Sequence, residues 1–313
     1  MAGCELLENA FAGDGFGSLF HAPDFFRMHE AGAGRYFEWV NGRAVRACVH
    51  FTPANGDGLW RSPARGTYAG YAFDPALPTA DLFAFHAAVE RRLAALEARQ
   101  VELLPAPMAH DPRAFATEVY LLRASGYDTS QCDLNHSLEV GAAPLVERMA
   151  HNNAKRLRKC HREGLRGVQL PATCLPAVYD VLDANRTHRG RHLSMTLDQL
   201  GAMAAAFPDA VMLFGVPDGD RLAASALCLR VHPRTVYVYA WGDRPGYEAF
   251  SPVVAVADAI HAHCQALGVA MLDVGTSTVD HDANHGLIHF KRGLGCTESL
   301  KVRVRRTLAV ATA

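Results

Sequence analysis

The stretch "YAWGDRPGYEAFSPVVAVADAIHAHCQALGVAMLDVG", residues 239–275, decides the fold. It closes a strand that starts at Thr235, crosses a turn rich in Pro and Gly, and enters a helix expected over residues 252–267. Gly268 stops that helix, and "VAMLDVG" resumes as a strand. Upstream, "VMLFGV", the turn "PDGD", "LAASALCLRV" and the turn "HPR" lead into "TVYVYAWG". The order is antiparallel strands, helix, strand.

The first half follows the same order. "YFEWV", "AVRACVHF" and "TYAGYAF" read as short strands broken by "NGR" and "PANGDG". A helix is expected over residues 79–99, with Thr79 as N-cap and Leu82, Phe83, Phe85, Val89, Leu93 and Leu96 at mostly helical spacing. The strand "VELLP" follows. Each half then carries a related phrase, "YLLRASGYDTSQCDLNHSLEV" and "IHFKRGLGCTESLKVRVRR". Aligning Gly126 with Gly295 puts Arg123 on Arg292 and Leu122 opposite Lys291, and each phrase ends in a strand. The lysine therefore belongs to the second copy alone. Between the halves, "VERMAHNNAKRLRKCHREGLRGV" reads as a basic helix ending near Gly164 or Gly167. These patterns give an α/β chain of two units, residues 1–140 and 141–313, each a mixed, mostly antiparallel sheet flanked by helices.

Composition bounds the function. In 313 residues half are apolar, enough for a substantial core, and the net charge of −1 excludes a global field for nucleic acid or membrane. Eight cysteines without a CxxC pair argue for reduced thiols rather than a zinc ribbon or a disulfide framework. The acidic start "MAGCELLENA" and the lack of a long apolar run point to a cytoplasmic protein.

"FHAPDFFRM", "NNAKRLRKCHREGL", the 239–275 stretch and "HGLIHFKRGLG" together resemble the FemABX-like branch of the GNAT acyltransferase superfamily, the peptidoglycan-bridge aminoacyltransferases. That resemblance spans most of the chain and implies two fused GNAT-fold units, with the second one catalytic and the first, inactive one on the acceptor side. It implies N-acyl transfer from aminoacyl-tRNA or acyl-CoA to a primary amine of a small or cell-wall-precursor-like acceptor, without metal or redox cofactor. Enzymes that use acetyl-CoA open the central helix with a glycine-rich loop that cradles the pyrophosphate. Here "RPGYEAFSP" puts Ser251 and Pro252 there, so aminoacyl-tRNA is favoured as donor, although the helix N-terminus is expected to stay open to an anion. The alternative reading is a non-catalytic GNAT scaffold that holds an anionic or nucleotide-linked ligand. The fused pair supplies the partner that single units often find by dimerising, which favours a monomer.

Lys291 is the expected catalytic cation, stabilising either the oxyanion or the donor, against the plainer reading of a solvated lysine on a strand edge. Asp243 is the candidate base. Phe290, Arg292, Ser251, Asp273 and Gly275 are expected on the donor side. Arg186, Arg189 and Arg191 in "NRTHRGRHLS" resemble the family's acceptor-side region, which implies that they, and Arg27 in the first unit, hold an anionic acceptor, work that suits a guanidinium fork able to grip two oxygens. Lys155, Arg158, Lys159 and, on an alternating basic strand with Arg305, Arg303 are possible RNA contacts. Tyr237, Tyr239 and Trp241 alternate as strand core. "HDANH" at residues 281–285 imitates a zinc-protease motif, but Asp replaces its Glu and a loop precedes it, so a polar loop is expected rather than a metal site.

Overall fold

The computed structural model describes residues 4–13, 17–29, 32–54, 58–279 and 282–308. The chain divides into two compact units, residues 1–134 with 299–313, and residues 135–298. The break falls at 134/135 rather than the expected 140/141, and the last strand is counted with the first unit.

In the first unit β1 (Glu5–Glu8) and α1 (Pro23–His29) precede β2 (Arg35–Asn41), β3 (Ala44–Ala54), β4 (Leu59–Ser62) and β5 (Ala72–Phe73). Next come α2 (Thr79–Ala95), β6 (Gln100–Leu103), α3 (Pro112–Ala124) and the start of β7 (Asp128–Glu139). Thr79 is the first helical residue of α2, and Pro78 rather than Thr79 stands at the N-cap. The helix buries Leu82, Phe85, Val89 and Leu93 against Phe37, Val49, Val101 and Leu103. Strands β4 and β6 pair in parallel from Leu59↔Gln100 to Ser62↔Leu103, and a further bridge joins Ala69 to Pro105.

The second unit continues with α4 (Leu145–Arg148), α5 (His151–Arg162), β8 (Val168–Leu170), α6 (Leu175–His188) and α7 (Leu197–Ala206). Strands β9 (Val211–Asp218), β10 (Arg221–His232) and β11 (Thr235–Asp243) form an antiparallel meander. After α8 (Val253–Ala266) come β12 (Met271–Thr276), the small β13 (Thr278–Val279) and β14 (Asp282–Ala283) and α9 (His285–Gly293), and then β15 (Thr297–Thr307), which from Ser299 on is counted with the first unit. Period-two alternation explains how this sheet is covered on both faces. Met212, Phe214, Ala226, Cys228, Val236 and Val238 point to α8, which is buried nearly all round. On the other face Ser225 Oγ donates to the Val178 carbonyl of α6 (3.1 Å).

The paired phrases are equivalent in structure. Each is a helix, a left-handed glycine and a strand: α3, Gly126 (φ 86°), β7, and α9, Gly295 (φ 88°), β15. The helix-ending bonds match as well, Tyr127 N–H to Leu122 C=O and Cys296 N–H to Lys291 C=O. Leu122 is core in its unit, and Lys291 occupies the same place in the other, equally buried. "HFKRGLG" is thus the end of a helix, and the solvated strand-edge reading of Lys291 does not hold.

Candidate active site in the second unit

A parallel pair that separates creates the site. β11 and β12 pair at Thr235↔Met271, Val236↔Leu272 and Tyr237↔Asp273, after which β11 runs on to Asp243 without β12 beside it. The wedge opens into a cavity of about 450 Å³. Tyr237, Tyr239 and Trp241 line it from β11, so these alternating aromatics form its wall as well as core. Val274, Gly275 and Thr276 line it from β12, and Asn284, Leu287, Phe290 and Lys291 from the α9 region.

Separating two strands frees backbone carbonyls, which are costly to bury unpaired. Lys291 Nζ donates to the carbonyls of Gly275 and Thr276, each at 2.8 Å, while it lines the cavity. Gly275 takes φ 75°, and a Cβ there would stand 3.6 Å from the Tyr237 ring. Beneath it Asp273 Oδ1 accepts from Gly275 N–H (2.8 Å) and Asn135 Nδ2 (3.0 Å). Asp273, expected on the donor side, is buried, is not among the lining residues, and braces the turn that Lys291 fills. Burial lowers the Lys291 pKa to about 8, opposed by the Asp273 and Cys296 charges and aided by Arg186.

The N-terminus of α8 is not open to an outside anion. Asp243, at the end of β11, accepts from Val253 N–H at 2.5 Å, so the chain's own carboxylate satisfies this helix start. Pro252 is the N-cap rather than the first helical residue, and Ser251 lines the cavity with φ 55°. Burial raises Asp243 to about 6, although the Val253 hydrogen bond and Arg189 pull it down. Its backbone carbonyl accepts from Asn185 Nδ2 of α6 (2.7 Å). Gly242 is required here, because a Cβ would come within 2.5 Å of the Asn185 side chain.

Three cations enter from the end of α6. Gly190 turns left-handed (φ 67°) and lets Arg191 N–H reach back to the Arg186 carbonyl (2.9 Å). This brings Arg186, Arg189 and Arg191 to one cavity wall. None of the three is in a salt bridge among the described residues. Burial, then Arg191 and Arg189, lowers the Arg186 pKa, as expected for like charges held together. Ser194 Oγ and Tyr239 Oη, 2.7 Å apart, tie the following loop to the cavity wall.

Other expected residues lie elsewhere. Arg292, one step from Lys291 on the same helix, points away from the cavity and pairs with Glu298. Arg27 pairs with Asp24 (2.8 Å) on the surface of the first unit and covers the Phe11 ring at 4.0 Å, so it is not part of this cavity. Phe290 lines the cavity and meets Trp241 edge-on at 6.0 Å. On α5, Lys155 and Arg158 are exposed, while Lys159 donates to the Ala249 carbonyl (2.9 Å) and caps the Phe250 ring. Arg303 and Arg305 are not an open basic face, because they bond Glu102 in the first unit. His281 of "HDANH" lies outside the described residues. Asn284 caps α9 through Leu287 N–H (3.0 Å), and no group of three metal-binding side chains occurs among the described residues. Asn185 and Ser194 were not expected as site residues, and neither carries a signal in the sequence.

Residues 148–292, wholly inside the second unit and including Phe290 and Lys291, match the acetyltransferase (GNAT) domain family. No curated protein matches the chain in sequence. Among solved structures the chain is similar to FemX, with TM-score 0.74, 12% identity, and coverage of 95% of this chain and 94% of that one. It is similar to L-PGS from Bacillus licheniformis, with TM-score 0.60, 10% identity, and coverage of 94% and 88%. A tandem GNAT protein from the clavulanic acid biosynthesis pathway matches with TM-score 0.53, 13% identity, and coverage of 97% and 98%. At these identities the likeness is one of fold. The match to an acetyltransferase domain supports an enzyme, and the fold shared with these structures is mixed α/β. No described helix is long and apolar enough to cross a membrane.

Proposed function

We propose that the second unit transfers an aminoacyl or acyl group to a primary amine, with aminoacyl-tRNA favoured over acyl-CoA as donor. The observation that carries the reading is the pairing of an open wedge holding a buried lysine with a central helix whose N-terminus is closed by Asp243. A CoA pyrophosphate held at a helix start needs free N–H groups, and Asp243 takes one of these and adds a negative charge. The resemblance to the FemABX-like branch and the fold of FemX support the choice.

The acceptor amine attacks the donor carbonyl, and the C=O oxygen gathers negative charge in the tetrahedral intermediate. Lys291 holds two of its N–H groups on Gly275 and Thr276, which leaves the third for that oxyanion. Collapse expels the leaving oxygen or sulfur and forms the amide. Asp243, ionised at neutral pH with a pKa near 6, is the lining carboxylate able to take the proton that the amine loses. The three arginines suit an acceptor that carries phosphate or carboxylate groups.

Donor loss with charged tRNA and with acetyl-CoA, each with a panel of amines, tests this. We expect consumption of the aminoacyl ester only. Micromolar binding of CoA would remove the preference for tRNA, and no amine-dependent loss of either donor would remove the reading.

A further inference from the structure

A second cluster of arginines lies in the first unit, on residues that do not line the cavity. Strands β4, β6 and β15 are neighbours, and their registers place Arg61 opposite Glu102 and Glu102 opposite Arg305. The three side chains therefore share one face of the sheet, and Arg303, two residues before Arg305, shares it too. The opposite face carries Trp60, Val101, Leu103, Val302 and Val304 of the core.

Glu102 is fully buried. Its carboxylate receives Arg61 Nε at 2.6 Å, Arg305 Nε at 3.1 Å and Nη2 at 2.5 Å, and Arg303 Nη1 at 3.4 Å. Burial alone would push its pKa up, but the Arg305 hydrogen bonds and the charges of Arg61, Arg303 and Arg305 bring it below the usual carboxylate range. Glu102 is therefore an anion in place, and it organises the three guanidiniums.

Charge and exposure show that this is more than a structural ion pair. One carboxylate faces three guanidiniums, leaving two positive charges in surplus over Glu102. The arginine side chains keep 35%, 34% and 41% of their surface, so their outer N–H groups reach solvent. Arg303 Nε is buried without a hydrogen-bond partner, so this side chain meets a ligand through its terminal N–H groups. The guanidiniums converge on one carboxylate, Arg61 and Arg303 on Oε1 and Arg305 on Oε2, so their outer N–H groups present one compact cationic patch, which suits a phosphate of the RNA backbone that carries the proposed donor.

The geometry points to a phosphodiester-binding site, in which Arg61, Arg303 and Arg305, held in place by Glu102, grip the backbone of an RNA. This names a contact for the RNA-borne donor and rests on that reading. The sequence expectation of RNA at Arg303 is changed in kind: the contact is not an open basic strand but a preformed arginine set around a buried acid, with Arg61 recruited from another strand.

The test is anisotropy of a labelled RNA hairpin across a salt series, with the full-length protein. Arg61→Ala/Arg303→Ala leaves Glu102 Oε2 with both of its Arg305 hydrogen bonds, and Arg61→Lys/Arg303→Lys keeps the charge. We expect the wild type to bind, the alanine pair to bind more weakly with a log–log salt slope shallower by about 1 to 2, and the lysine pair to keep the slope. Inorganic pyrophosphate should compete more weakly than RNA; equal competition would replace the phosphodiester by a free phosphate and overturn the assignment. If the alanine pair binds RNA with unchanged affinity and slope, the site falls while the RNA donor reading stands. If the wild type binds no RNA at low salt, both fall. Thermal melts of each variant separate weakened binding from a failure to fold.

Discussion

Lys291→Met is expected to lower turnover by about 10²- to 10³-fold, the usual cost of removing one preorganised oxyanion donor. Methionine keeps the length of the side chain and removes its charge and donors. The Gly275 and Thr276 carbonyls lose their partner, at about 1–3 kcal/mol per buried group. Relief of a buried charge offsets part of that, so the variant should fold. The pH dependence of stability provides a separate signature. The folded pKa, about 8, lies below the ordinary 10.5, so the burial cost is full below pH 8 and is recovered as pH rises toward 10.5. Urea melts at neutral and alkaline pH should show that recovery in the wild type and not in Lys291→Met. Loss of the recovery with turnover intact would make Lys291 a structural plug.

Arg189→Ala/Arg191→Ala is expected to raise the acceptor KM by about 10- to 100-fold for each arginine that holds the acceptor, the range of a charge-assisted hydrogen bond. Stability should change little, because the two cations repel Arg186 while Arg189 attracts Asp243, and among the described residues neither is in a salt bridge. This combination separates ligand binding from folding: an ordinary structural arginine would lower the melting temperature and leave KM alone. An unchanged KM for an anionic acceptor would remove the triad from the acceptor site.

The sequence reveals much of the frame and part of the site, for identifiable reasons. The twin phrases are legible because a left-handed glycine after a helix leaves a mark at a fixed spacing, Gly126 in one unit and Gly295 in the other. That α9 is a helix is hidden because its buried stripe runs Ile288, Lys291, Leu294, with a lysine where an apolar residue would signal the period. The same error misplaces Arg292, since adjacent residues on a helix point about 100° apart. The role of Asp243 is visible only once α8 and β11 are set in space, although Ser251 and Pro252 already show that the glycine cradle is missing. Glu102 sits far in sequence from Arg303 and Arg305, so an alternating basic strand looks open until the sheet pairs it. The 134/135 division likewise depends on the last strand pairing with β6, a non-local contact.

The ratio of wild-type to Lys291→Met turnover across pH tests the central claim most directly, because the acceptor amine titrates alike in both and cancels. If the buried cation stabilises the oxyanion, the ratio is large near neutrality and falls as pH rises through about 8, where Lys291 loses its proton. A ratio that stays constant well above pH 8, or is near one throughout, would contradict the assignment of Lys291 as the catalytic cation.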